Sequence, residues 1–310
     1  MIRKITLIFL NLNKQMSKQV FGGDWTEEKL NRIRKYLPAY VRVLKDKKLK
    51  YAYIDAFAGT GYRELKDTEE QGQLLLPELV EQEPRQFMDG SARIALQVEP
   101  RFNEYIFIEK DKNKIPYLEQ LKVQFPDKSQ NIIIVNDDAN TYLKKLCINK
   151  NWRVNRAVLF LDPFGMQIPW ETIVLIAETK AIDLWYLFPL GMGVNRLLTR
   201  DGNIPESLKK RLDETFGTTD WYDHFYATTG QQTLQLSLFE NNSQIEKTAN
   251  YESIGRYFVE RLETVFAGVA ENPLVLRNSR NSPLYLLCFA SANAKGAPTA
   301  IKIAQHILRT

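Results

Sequence analysis

The chain has 310 residues, 44% of them hydrophobic, enough for one large domain or for one domain with a sizeable insertion. Its two cysteines, Cys147 and Cys288, sit in apolar or helical segments and form neither a zinc pattern nor a disulfide framework; the two histidines, His224 and His306, leave little room for a histidine metal site, so a reducing, cytoplasmic setting is expected. A formal charge of +5 permits a nucleic acid or another acidic partner without requiring one.

The first residues, "MIRKITLIFLNLNKQ", have an apolar stretch about as short as a signal core, but no small-residue cleavage site follows it. The functional protein is expected to begin near Met16, with residues 1–20 a poorly ordered extension or a misassigned start. No apolar run is long enough to span a membrane. "WTEEKLNRIRKYLPAYVRVLKDK" opens the core as a helix, with Thr26 as its cap and Leu30, Ile33, Leu37 and Tyr40 on one face. Pro38 predicts two helical pieces or a kink. "YAYIDAFAG" is a strand running into a glycine-rich turn, and residues 62 to 90, polar and rich in Glu, Gln and Pro, form an insertion. A helix starts at Ser91. From there strands and helices alternate: "EYIFIEK", "NIIIVND", "RAVLFLDPFG" and "AIDLWYLFP" as strands, "KNKIPYLEQLKVQF", "ANTYLKKLCI" and "WETIVLIAET" as helices. Residues 191–245 break the rhythm and read as a helical insertion or subdomain. The core of residues 21–190 is then completed by 246–310, with the helix "YESIGRYFVERLETVF", the strands "PLVLRN" and "SPLYLLCFAS" as an antiparallel pair at a sheet edge, and the helix "TAIKIAQHIL". The expected fold is α/β: a doubly wound, mostly parallel sheet with an antiparallel last strand and a helical insertion.

Ligands of such sheets sit at the carboxyl ends of the strands. Here those ends carry Asp55 with Gly59 and Gly61, Glu109, Asp137 with Asp138, and Asp162 with Pro163. "DAFAGTG" is neither the dinucleotide fingerprint nor a P-loop, and without a P-loop lysine triphosphate hydrolysis is not expected. Its glycines allow a tight turn and close approach of a ligand to the backbone. Glu109 suits the two hydroxyls of a ribose; its structural alternative is pairing with Lys110 or Arg101. Asp138 suits an adenine amino group, the cap of the next helix, or both, and Asp137 is a solvated neighbour. These positions fit a nucleoside-bearing cofactor. They do not separate S-adenosylmethionine from a nicotinamide cofactor, although the missing third glycine leans toward the former.

"DWTEEKLNRIRKYLPAY", "YIDAFAGTG", "DDAN", "LFLDPFG", "AIDLWYLFPLGMGVNRLL", "FGTTDWYDHFY" and "NSPLYLLCFASANAKG" together resemble the three-Cys-motif partner proteins, a bacterial group classed with Rossmann-like, S-adenosylmethionine-dependent methyltransferases. The resemblance runs from about Gly22 to Leu308. It implies a class I methyltransferase core, S-adenosylmethionine held by Asp55, Phe57, Gly59, Gly61, Glu109 and Asp138, and a cysteine-motif protein encoded nearby as partner. The family usually has glycine where this chain has Asp137. "DPFG" looks like a variant of the "DPPY" of amino-group methyltransferases acting on nucleobases: Asp162 and the Pro163 backbone would accept from the target amine and Phe164 would stack on the base. Phe164 stands in place of the second proline and Gly165 in place of the tyrosine, so the aromatic is shifted in register. The implied catalytic set is Asp162, Pro163 and Phe164, with no metal.

Arg277 and Arg280, in "RNSRNS" between the last two strands, are candidate contacts to a nucleic-acid backbone together with Phe164 as a substrate-binding residue. Trp25 and Lys29 belong to a helix able to fold over the pocket. Trp185, Tyr186 and Phe188 read as core. Asp183, costly to bury unpaired, calls for a partner, with Arg196 the candidate. The basic runs "KDKKLK" and "KKRLDETF" read as surface. The expected activity is S-adenosylmethionine-dependent methylation, with an amino group of a nucleic-acid base as substrate; the alternatives are a small-molecule methyltransferase and a non-enzymatic adapter of the cysteine-motif partner.

Overall fold

The computed structural model describes residues 24–59, 90–229 and 244–310. The expected start near Met16, Gly61 and all but the last residue of the 62–90 insertion lie outside them. The first described element is one helix, α1 (Asp24–Leu44), with Pro38 inside it, where the sequence predicts two pieces or a kink. Both flanks of Pro38 are buried, at Ile33, Tyr36, Leu37, Tyr40, Val41 and Leu44, and this packing outweighs the missing N–H. The helix starts two residues ahead of Thr26, which therefore stands in the first turn and not at the cap.

Five parallel strands follow: β1 (Lys50–Asp55), β2 (Glu104–Ile108), β3 (Ile132–Val135), β4 (Asn155–Leu161) and β5 (Ile182–Phe188). The helices α2 (Gly90–Leu96), α3 (Ile115–Gln124), α4 (Ala139–Asn149) and α5 (Trp170–Glu178) alternate with them. After α6 (Glu206–Phe216) and α7 (Trp221–Phe225) comes a two-stranded antiparallel pair, β6 (Tyr226–Thr229) and β7 (Gln244–Lys247), so residues 191–245 are not purely helical. The chain closes with α8 (Tyr251–Glu263), β8 (Gly268–Val269), β9 (Leu274–Arg277), β10 (Pro283–Ser291) and α9 (Ala297–Arg309).

The sheet order is β3-β2-β1-β4-β5-β10, with β8 and β9 both pairing along the far side of β10. β10 runs antiparallel to β5. A Rossmann-like sheet in this order, with an antiparallel strand inserted beside β5, is class I methyltransferase topology. β9 and β8 hold the edge; β10 itself is interior, because β5 offers it an apolar partner edge.

Side chains alternate across the sheet. Ala52 and Ile54 of β1, Leu159 and Leu161 of β4, and Tyr186 and Phe188 of β5 face one core, with Leu143, Ile173, Phe216, Trp221 and Phe258. Tyr53, Phe160, Trp185 and Leu187 face the other, with α1, α2 and α9. All seven residues of β5 are buried, as expected for a strand covered on both faces. Trp185, Tyr186 and Phe188 are core. Cys147 and Cys288 are free and buried, and burial pushes the Cys147 thiol up to about 12. Among the described residues no helix is long and apolar enough to cross a membrane.

Candidate functional site

β1 and β4 are neighbours, and strand order reverses between them. Asp55 ends β1, opposite Phe160 of β4 and Phe107 of β2. Beyond the strand the backbone stays in line, Ala56 N donating to Phe160 O at 3.2 Å and Ala58 N to Ile108 O at 3.0 Å. This delivers Gly59 to Glu109, the residue after β2. A Cβ built on Gly59 would lie 1.7 Å from Glu109 Oε2, so only glycine allows the carboxylate to rest there.

Glu109 is buried, 8% exposed. Its Oε1 accepts from Asp111 N at 2.7 Å and lies 3.8 Å from Lys114 Nζ. Neither sequence-expected partner is used: Lys110 reaches Asp138 at 3.5 Å, and Arg101 donates to the Asp127 carbonyl. Lys114 ends the short 3-10 turn Lys112–Lys114 that follows β2. Asp138 caps α4 through Asn140 N and Thr141 N. Asp137 pairs with Lys145 at 3.1 Å and accepts from Asp138 N, and these bonds lower its carboxyl from the ordinary range.

Asp55 is buried beneath this rim. Ser91 Oγ donates to it at 2.6 Å, Phe57 N at 3.3 Å and Tyr53 Oη at 3.5 Å. Burial raises its carboxyl to about 6; the charge of Asp162 pushes the same way, while Ser91, Phe57 N and Lys29 oppose it. The Phe57 ring is half-buried and packs on the core.

Asp162 follows β4 directly. Its Oδ2 accepts from Lys29 Nζ at 2.6 Å, across the sheet end from α1. Pro163 is buried, and Phe164 is 43% exposed. Gly165 has φ +74°, a left-handed conformation that strains a tyrosine; the aromatic of this turn therefore stands one residue earlier, at Phe164. The loop is tied down by Asn140 Nδ2, which donates to Gln167 O at 2.9 Å, and by packing of Met166 on the π-helical turn Leu190–Val194.

Trp25 completes the α1 side. Its ring lies 5.1 Å from that of Tyr285, and Lys29 Nζ stands 5.0 Å above it. Because β10 runs antiparallel, the last residue of β9, Arg277, and the loop before β10, with Arg280, lie at the same end of the sheet. Both arginines are exposed; Arg277 Nη1 donates to the Asn281 carbonyl within that loop. An open depression of about 610 Å³, lined by Cys147, Lys150, Trp152, Leu175 and Glu178, lies at the opposite strand ends and shares no residue with this rim.

Asp183 is not paired with Arg196. It is the second residue of β5, whereas Arg196 follows the strand's other end, a full strand length away. Asp183 instead accepts from Tyr36 Oη at 2.7 Å and from Ser291 Oγ at 2.6 Å. The lysines of "KDKKLK" are exposed at the amino end of β1, away from the rim. Sequence reasoning missed Ser91, Lys114 and the bond made by Lys29. The last had a signal: Lys29 occupies a position in the inward stripe of α1, where a cation needs a partner.

The residues present fit an adenosyl cofactor by their chemistry: a buried carboxylate at the second strand end, a glycine against which that carboxylate rests, and the β1–β4 crevice. No protein-family model matches the chain, and no curated protein matches it. Among solved structures it is similar to a Legionella pneumophila protein of family DUF519 (12% identity, 91% of this chain and 92% of that one, TM-score 0.42). A spermidine synthase in complex with the transition-state analogue AdoDATO matches at 12% identity, over 91% of this chain and 62% of that one, with a TM-score of 0.40. A Listeria monocytogenes protein proposed to be an S-adenosylmethionine-dependent methyltransferase matches at 7% identity, over 83% and 97%, with a TM-score of 0.34.

Proposed function

We propose that the chain is an S-adenosylmethionine-dependent methyltransferase acting on an amino group of a nucleic-acid base, with a three-Cys-motif protein as its partner. The observation that carries the reading is the apposition of Gly59 and buried Glu109 at the carboxyl ends of β1 and β2, with Asp162 and Phe164 on the loop after β4, on the other side of β1. Glu109 would hold the ribose hydroxyls, Asp55 and Phe57 would shape the turn beneath the cofactor, and Asp138 would meet the adenine while still capping α4. Bound S-adenosylmethionine would supply an electrophilic methyl on a sulfonium, so the chain's own work is positioning. Asp162 and the Pro163 carbonyl would accept the two N–H groups of the amine and aim its lone pair, and Phe164, exposed, would stack on the base. Arg277 and Arg280 would steady a phosphate backbone.

A second reading, the non-enzymatic adapter, draws on a different observation: Asp162 and Glu109 are each already engaged by a lysine of the same chain. Isothermal titration of the protein with S-adenosylmethionine separates the two. The methyltransferase reading expects one saturable site, weakened at least about ten-fold in Glu109→Ala, where hydrogen bonds to a charged acceptor are lost. A well-folded protein that takes up no S-adenosylmethionine would move the assignment to the adapter.

A further inference from the structure

Lys29 is 1% exposed, while the Asp162 side chain it bonds is 24% exposed. The cation is the inner member of the pair and the carboxylate faces the site. Lys29 comes from the inward face of α1, is held over the Trp25 ring, and reaches Asp162 Oδ2 at 2.6 Å. Oδ1 is the remaining oxygen of an accessible acceptor whose charge is already compensated from behind.

We propose that Lys29 turns Asp162 into a charge-balanced acceptor and so restricts the site to amino groups that are uncharged at neutral pH, such as the exocyclic amines of nucleobases, against the ammonium groups of lysine side chains and polyamines. The inference rests on the methyltransferase reading of the site and names the substrate class within it. An unpaired carboxylate at a low-dielectric rim attracts any cation; at about 6 Å and an effective dielectric near 20, one unit charge shifts affinity roughly ten- to a hundred-fold. With Lys29 in place this attraction is cancelled, and an incoming ammonium meets a second cation. A neutral amine needs only the lone pairs of Asp162, which the salt bridge leaves on Oδ1. The neighbouring Asp55 is a further acid that feels the charge of both groups. Lys29 touches no reacting atom in this account: it is a positioning residue acting through Asp162.

The test compares two S-adenosylmethionine analogues by calorimetry on the full chain at neutral pH. S-adenosylhomocysteine is uncharged at sulfur. Sinefungin carries an ammonium where S-adenosylmethionine carries its methyl. In Lys29→Met the sinefungin affinity is expected to rise about ten-fold or more relative to S-adenosylhomocysteine, whose own affinity stays within about two-fold. Adding Asp162→Asn to that variant should return the ratio to the wild-type value. Lys29→Gln serves as the second variant should the methionine fail to fold. An unchanged ratio in a lysine variant that still binds S-adenosylhomocysteine overturns the proposal. So does an equal gain for both analogues, which would make Lys29 a plug standing in the substrate's place. Wild-type protein that binds neither analogue defeats the methyltransferase reading itself, and the inference with it.

Discussion

A Cβ on Gly59 would take the space that Glu109 Oε2, the far end of a flexible side chain, now occupies. Gly59→Ala should therefore displace the carboxylate and weaken S-adenosylmethionine binding by about ten-fold or more, read by titration calorimetry, while far-UV circular dichroism stays unchanged. Asp183 supplies a residue-scale prediction away from the site. Burial raises its carboxyl to about 6 from an ordinary 3.8, against hydrogen bonds from Ser291 and Tyr36 that favour the ionised form. The folded state thus takes up this proton at higher pH than the unfolded state, and stability is lost as pH rises from about 4 through 6. Two pH units correspond to roughly 3 kcal/mol at most. Asp55 contributes with the same sign. Asp183→Asn should flatten, without abolishing, the fall in stability across that window, as measured by urea midpoints between pH 4 and 7; an unchanged slope would mean that Asp183 is not protonated in the folded state.

At the scale of the element, α1 shows how one helix runs through a proline instead of dividing into two. The residue whose carbonyl loses its partner to Pro38 is Arg34, which is exposed, so water is at hand for that carbonyl. The inward stripe from Ile33 to Leu44 holds the helix through the defect. Pro38→Ala restores a backbone donor and removes the ring, and is expected to raise stability by about 1 to 2 kcal/mol, visible as a higher urea midpoint with an unchanged m-value. The same stripe carries Lys29 and Tyr36 to two different acids, Asp162 at the carboxyl end of β4 and Asp183 near the amino end of β5. Both contacts join α1 to the sheet through polar bonds within an apolar face, and the sequence periodicity that identifies the face does not say which acid each group meets.

At the scale of the whole molecule, the residues after β5 are joined to the sheet through aromatic packing. Phe188 of β5 stacks on Phe258 of α8 at 3.8 Å, and Phe216 of α6 contacts both rings and Tyr257. Leu212, Phe216, Trp221 and Phe225 share one apolar cluster with β1, β4 and β5. Phe216→Ala should cost about 3 to 5 kcal/mol and shift a single unfolding transition. Fluorescence and far-UV circular dichroism recorded along one urea titration check this: coincident curves mean one cooperative unit, and separated curves would mean that α6 and α7 unfold apart from the sheet.

Alternation of apolar strands and amphipathic helices was enough to read the parallel sheet, the antiparallel β9–β10 pair and the acids and glycines at the strand ends. These are local properties: hydrophobic period, turn residues, and the position of a charge just past an apolar run. Tertiary structure alone decided the partners. Glu109 turned to Lys114, Asp183 to Tyr36 and Ser291, and Asp162 to Lys29, which lies 133 residues away in the chain. It also decided that α1 stays whole at Pro38 and that a β-pair joins the helices of 191–245. A buried charge must find an opposite charge or hydrogen bonds, but the requirement is met by whichever group packing brings near, and that choice is made across the sheet, not along the chain.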